Sequence, residues 1–207
     1  MLRIFVIIVS IFSLAVANAQ TVNTEQSFKQ QLERVSQNNK TIRCDFTQTK
    51  KVKNIKQPII SKGDFFYDNT GLMALIFQEP KGDKVIMNGD SFYLVVSGKK
   101  MVSEASNNPM MSQISNMMQA CMSGNVSKLG RGWQMMVEAT GQGFQVNLTP
   151  IDRRLRKYLT GMVMNFDGRD LTLDRLRIEE SNGGFTEYHF LNKKLNQAFD
   201  HAVFNVD

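Results

Sequence analysis

Histidine and cysteine are scarce in this chain of 207 residues, with two of each. His189 and His201 cannot make a His-rich metal motif, and no CxxC pair is present. No serine stands in a Gly-x-Ser-x-Gly elbow, and neither a P-loop nor a dinucleotide-type glycine pattern occurs. A nucleophile built on Cys44 or Cys121 needs a histidine within hydrogen-bond reach. The acid pair Asp64 and Glu79 reads as surface charge. These absences exclude the common metal, nucleotide and acyl-transfer chemistries, so no catalytic residue, metal or cofactor is expected. Cys44 falls in a predicted strand and Cys121 in a predicted helix, and they read as two independent buried thiols rather than a disulfide.

Long apolar runs are also missing, with one exception at the start. Arg3 precedes Ile4–Val16, an apolar run broken only by Ser10 and Ser13, and Ala17-Asn18-Ala19 supplies the small-x-small pattern of a signal-peptidase site. The run is shorter than the roughly 20 residues a spanning helix needs. The expectation is an exported, soluble protein cleaved after Ala19, with residues 1–19 as signal peptide and residues 20–207 as one domain, a monomer. Its length suits a single sizeable core. The formal net charge is +6, falling by one with Arg3, and favours anionic partners such as lipid head groups or acidic protein surfaces. The densest basic cluster, Arg153-Arg154-Leu155-Arg156-Lys157, lacks interleaved base-stacking aromatics, so it reads as a solvated face and no nucleic-acid partner is expected.

What is present is period and turn chemistry. Over Asn23–Asn38, Phe28, Leu32 and Val35 recur at helical spacing, with Asn23 and Gln26 as a capping box. The period then becomes two: Ile42, Cys44 and Phe46 alternate with Arg43, Asp45 and Thr47. Further strands are predicted over 59–68, 72–78, 84–87, 92–96, 133–139, 144–148, 159–166, 171–179 and 185–191, separated by Gly, Asn, Asp and Pro turns. Short connections imply antiparallel hairpins. Asn107-Asn108-Pro109 opens a helix over Met110–Met122 with a broad apolar face, which Gly124 can end. The fold class is mainly β with two helices. About ten strands form one antiparallel sheet, long enough to curl into an incomplete barrel, and the helices cover its concave face.

Methionine is the compositional surplus, 13 in all, with Met101, Met110, Met111, Met117, Met118 and Met122 close together. Flexible, polarizable thioethers accommodate varied apolar shapes, which suits either a ligand without fixed form or ordinary core packing.

Several short motifs carry a family likeness in order. Leu32-Glu33-Arg34-Val35-Ser36 is followed by Phe46-Thr47-Gln48-Thr49. Gly63-Asp64-Phe65-Phe66 leads to a strand closing on Gln78-Glu79-Pro80. Asn88-Gly89-Asp90-Ser91-Phe92-Tyr93 and Leu148-Thr149-Pro150 come next. The chain resembles the LolA-type periplasmic lipoprotein carriers. The resemblance implies a curled half-barrel with helices as a lid, an apolar cavity for the acyl chains of lipoproteins bound for the outer membrane, an inner-membrane ABC-type release complex as donor and an outer-membrane acceptor. One departure is visible. Asn69-Thr70 stands where proteobacterial members carry an Arg-Pro pair associated with holding the lid and with one-way handover, and Asn69 has no guanidinium.

Alternation then nominates ligand contacts. Phe65 and Tyr67 share a face that Phe66 does not, and Met73, Leu75 and Phe77 share a face of the next strand. The resemblance puts both faces inward. Met111, Ile114 and Met118 are the lid contacts. The cargo is expected to be acylated lipoprotein or another lipid class. The alternative is an envelope sensor that reads lipid or lipoprotein on the same fold.

Overall fold

The structure, a computed structural model, describes residues 24–88, 91–104, 109–123 and 132–205. The export segment 1–19, the Asn23 cap, Gly89-Asp90 of one hairpin, Asn107-Asn108 and Gly124 lie outside the described residues.

The first helix, α1, covers 24–36, and its Phe28 and Leu32 are buried as their spacing predicts. Six strands follow: β1 Thr41–Lys51, β2 Ile59–Asp68, β3 Leu72–Glu79, β4 Lys81–Asn88, β5 Ser91–Val96 and β6 Lys99–Glu104. Helix α2 spans Pro109–Ser123. Five more strands complete the chain: β7 Trp133–Thr140, β8 Gly143–Pro150, β9 Leu159–Asp167, β10 Leu173–Glu180 and β11 Phe185–Leu195. The sheet therefore has eleven strands where the sequence suggested about ten. The addition is β6, whose Lys-Lys-Met-Val-Ser-Glu run has no clean alternation because it is an edge strand with lysines at its exposed start.

All strands join one antiparallel sheet in the order β6-β5-β4-β3-β2-β1-β11-β10-β9-β8-β7. β1 sits at the centre, between β2 and β11. Two arms grow outward from it, and their outermost strands, β6 and β7, do not pair. α2 is the segment of chain between these two free edges. Register shifts in the β1–β11, β2–β3, β3–β4 and β9–β10 pairings bend the ribbon. At Gly63 the bend needs the absence of a side chain: an added Cβ would stand 2.1 Å from the Ile76 carbonyl oxygen and 2.8 Å from the Phe46 ring. Gly143, at φ +147, makes a similar close approach on the other arm, 2.0 Å from the Phe166 oxygen.

The inward residues of both arms form one core with α1 and α2. Phe28 of α1 packs on Phe144 and Phe166, with ring centroids 5.3 and 5.0 Å apart, which closes the end of the half-barrel where β1 begins. Phe66 points outward, as alternation requires, yet it is buried. A short 3-10 helix, His201–Phe204, lies across the outer face of β2–β4 and brings Phe199 and Phe204 onto Phe66, Ala74 and Ile86.

This outer clasp has an ionic latch. Asp68 accepts from the Thr70 amide at 2.8 Å and lies 3.5 Å from His201 Nε2. Burial raises the Asp68 carboxyl, but the Thr70 hydrogen bonds and the His201 charge outweigh it and hold the group below its ordinary 3.8. Glu187 is likewise lowered: burial opposes this, and hydrogen bonds from Arg175, His189 and Arg177 prevail. A depressed carboxyl stabilises the fold above its unfolded value, and that stabilisation fades as pH falls toward the folded value. Denaturant midpoints should therefore fall progressively below about pH 4. Asp68→Asn should flatten that acid limb by on the order of 1 kcal/mol, measured by urea titration from neutral to acidic pH. An unchanged limb would mean that Asp68 is not among the groups behind it.

A candidate apolar binding cavity

Each inward-facing strand residue follows from register. Ile42, Cys44 and Phe46 of β1 face Tyr67, Phe65 and Gly63 of β2, and these in turn face Met73, Leu75 and Phe77 of β3. The expected shared face of Phe65, Tyr67, Met73, Leu75 and Phe77 is thus formed, and it is the concave one. α2 lies over it, with Met117, Met118, Cys121 and Met122 buried.

Between α2 and the sheet a cavity of about 110 Å³ remains. One arm contributes Leu75, Val85 and Met87 to it. The other contributes Leu176, Ile178, Tyr188 and Phe190, and α2 contributes Ile114 and Met118. Of the residues nominated from sequence, Leu75, Ile114 and Met118 meet at this space. Phe65, Tyr67, Met73 and Phe77 lie on the same face but do not line the space: Phe65 packs against Phe190, itself part of the wall, at 5.3 Å and Phe77 against Phe46 at 5.1 Å. Met111 lies in α2, and its side chain falls outside the described residues. The sequence does not reveal the far wall. Leu176/Ile178 and Tyr188/Phe190 alternate plainly, but only the curl of the sheet brings them opposite β3 and β4.

The lining is almost wholly apolar. Its one polar group is the Tyr188 hydroxyl, which accepts from Gln48 Nε2 at 2.6 Å, and burial pushes that phenol's pKa up. Cys121 donates a weak hydrogen bond to the Met164 sulfur at 3.4 Å. Both cysteines are free and buried, and burial pushes Cys44 and Cys121 up to about 12, so neither offers a thiolate at neutral pH. They face inward, whereas His189 and His201 lie on the outer side with Glu187 and Asp68. Asp64 and Glu79 are engaged separately, by Arg43 at 3.5 Å and Lys62 at 3.3 Å. Among the described residues no cluster of three or more His, Cys, Asp or Glu could hold a metal, and no helix is long and apolar enough to cross a membrane.

α2 itself carries no charged residue. With no acid in its first turn and no base in its last, it gains nothing from the helix dipole. A lone helix of this length is marginal in water, so its stability comes from the methionines it buries. A further polar tie between α2 and the sheet is the Trp133 indole, whose Nε1 donates to Gln113 Oε1 at 3.0 Å.

The family profile of the outer membrane lipoprotein carrier protein LolA matches residues 37–207. The chain belongs to this family. Two solved structures share the LolA-like fold at low sequence identity. A DUF1329 family protein from Desulfovibrio piger has a TM-score of 0.53 at 12% identity over 87% of this chain and 96% of its own. The MucA/MucB complex of Pseudomonas aeruginosa gives 0.52 at 10% identity over 86% of this chain and 59% of the matched one. A LolA superfamily protein from Nitrosomonas europaea matches over 87% of this chain and 97% of its own, at 8% identity and a TM-score of 0.43. Among curated proteins none matches. Where proteobacterial LolA-type sequences carry arginine, the structure places Asn69 in the β2–β3 turn. Its amide donates to the Lys40 carbonyl at 2.9 Å, tying that turn to the α1–β1 connection.

Proposed function

We propose that this LolA-family chain is a non-enzymatic carrier that hides acyl chains between the concave sheet face and α2. The observation that carries this reading is the uncharged, methionine-rich helix lying over an apolar space. The present cavity, about 110 Å³, is well below the roughly 300–1,000 Å³ of typical ligand pockets. An acyl chain enters only if α2 moves aside. That displacement breaks no ion pair, since α2 holds no charge. The acyl chain takes over the packing that the methionines give up, at about 0.8 kcal/mol per buried CH₂. Leu75, Ile114 and Met118 are the side chains first met, and Phe65, Tyr67, Met73, Phe77 and Met111 join as the cover lifts.

In this reading residues 1–19 direct export, cleavage follows Ala19, and residues 20–207 work as one domain in the periplasm. Lipoproteins, or another acylated lipid, are the cargo. They are taken from an ABC-type release complex in the inner membrane and passed to an outer-membrane acceptor. With Asn69 in place of arginine, retention of cargo rests on apolar contact rather than on a guanidinium.

Trp133 is the sole tryptophan and touches α2, so it reports on the cover. Titrating a fatty acid into the exported, processed protein should shift Trp133 emission, and native mass spectrometry of freshly isolated protein should show bound lipid or lipoprotein. Protein that is always empty, fails to take up a fluorescent fatty acid and keeps its emission unchanged would end the carrier reading.

A further inference from the structure

The half-barrel has two unlike ends. α1 closes the one where β1 begins. The other gathers the β1–β2 loop, the β3–β4, β5–β6 and β10–β11 turns, and the segment between β8 and β9.

At this second end, residues 50–62 contain five lysines and no acid. The same stretch exposes three isoleucines: Ile55, Ile59 and Ile60 are 47, 50 and 59 % exposed. The loop is held in shape. Lys51 Nζ donates to the Ile55 and Lys56 carbonyls at 2.7 and 2.9 Å, and the Ile55 amide donates to Val52 at 3.1 Å. A second promontory, Ile151–Tyr158, exposes Ile151 and Tyr158 beside Arg153 and Lys157. The β10–β11 turn joins the two. Ser181 donates from its amide to Tyr158 and from its hydroxyl to Lys157, at 2.9 and 2.6 Å, while Gly184 lies so close to the Lys51 carbonyl that a Cβ would stand 2.6 Å from it. Of the acids nearby, Glu79 is engaged by Lys62, Asp152 by Arg154 and Glu179 by Arg177, while Glu180 accepts from Asn182 Nδ2 at 3.0 Å and Asp83 from the Ser97 amide at 2.9 Å. Lys50, Lys53, Lys56, Arg153 and Lys157 have no acidic partner within ion-pair distance among the described residues.

We infer that this end is a docking surface for the head-group region of an anionic lipid bilayer, with the β1–β2 loop as its leading element. Basic side chains around exposed apolar tips are what an anionic interface binds, the charges meeting phosphates and the tips entering the acyl boundary. Geometry favours a bilayer over an acidic protein groove. Ile59 and Ile60 are successive strand residues and point to opposite faces of the ribbon. A protein groove receives one face, whereas a fluid interface surrounds both.

This inference goes beyond the carrier reading and does not depend on it, because docking is measured without cargo. The test is flotation of the exported, processed protein with vesicles of pure phosphatidylcholine and with an equal mixture of phosphatidylcholine and phosphatidylglycerol. The expected result is binding to the mixed vesicles only. Lys50→Gln with Lys53→Gln and Lys56→Gln should weaken it about 100-fold, at roughly fivefold per lysine. Ile55→Ser with Ile59→Ser and Ile60→Ser should weaken it at least about tenfold. Removing the same charge elsewhere, by Arg34→Gln, Lys40→Gln and Lys194→Gln, should change it little. All nine side chains are exposed, and circular dichroism checks that each variant is folded. Absence of binding to the mixed vesicles overturns the proposal, as does equal loss in the distant-charge variant. Full binding by the isoleucine variant also overturns it, because the exposed tips would then have no part in the docking. Loss of vesicle binding with fatty-acid uptake intact, or the reverse, tells this proposal apart from the carrier reading.

Discussion

Gly63→Ala should lower the stability of this protein by about 3 kcal/mol, the upper end of overpacking costs, and its thermal midpoint by roughly 10 °C. The added methyl would lie 2.1 Å from a backbone oxygen of β3 and 2.8 Å from the Phe46 ring. Neither neighbour is the loose end of a flexible side chain. β2 and β3 would have to separate where the ribbon bends, and the Phe46–Phe77 edge contact would open with them. Gly141→Ala is the control, since nothing stands within 4 Å of a Cβ there and no positive φ is involved. It should stay within about 0.5 kcal/mol of the parent. Paired thermal and urea melts decide the matter. Equal melting of the two variants would mean that the close approach at Gly63 relaxes freely.

The second large effect concerns the cavity wall. Leu176→Glu puts a carboxyl into the concave face, where Leu176 is 2 % exposed. Because β10 is part of the sheet, the new group faces the space whether α2 lies over it or not. An uncompensated charge in apolar surroundings costs several kcal/mol unless it is neutralised, so the carboxyl should titrate above its ordinary range. Fatty-acid uptake should fall at least about tenfold at neutral pH and recover partly in mild acid, where the glutamic acid is uncharged. Asn147→Glu, which pairs with Val163 on the outer side, should leave uptake unchanged. A Leu176→Glu protein that still binds fatty acid normally at neutral pH would place the ligand elsewhere.

Much of the fold was legible because its signals are local. Ile42, Cys44 and Phe46 show their strand by alternation alone, and Phe28, Leu32 and Val35 show their helix by spacing. The exposed edge strand was not legible. Lys99 and Lys100 guard it against further pairing, and the same charges erase its pattern. The outer clasp was also hidden, because Phe199, Val203 and Phe204 lie in a short segment with no long period, and only folding lays them on Phe66. The site was half legible. Leu75 followed from alternation once the family resemblance set which face turns inward, and Ile114 and Met118 lay on the apolar face of the predicted helix. Their partners across the space, Leu176 and Phe190, required knowing which strands face each other after the sheet curls. Curl depends on register shifts such as those flanking Arg43 and Gly63, and a one-residue shift leaves no compositional mark.

If the chain carries acyl guests as proposed, the unpaired β6 and β7 edges bear on how much it can hold. In a closed barrel the number of strands and their stagger fix the circumference. Here the circumference is not fixed by hydrogen bonding at all. The ribbon can unroll slightly to admit a bulkier guest and roll back once it leaves, with every rung of the ladder intact. Capacity then becomes an elastic property of the sheet, set by how readily it bends about β1 and by how firmly α2 draws its two margins together.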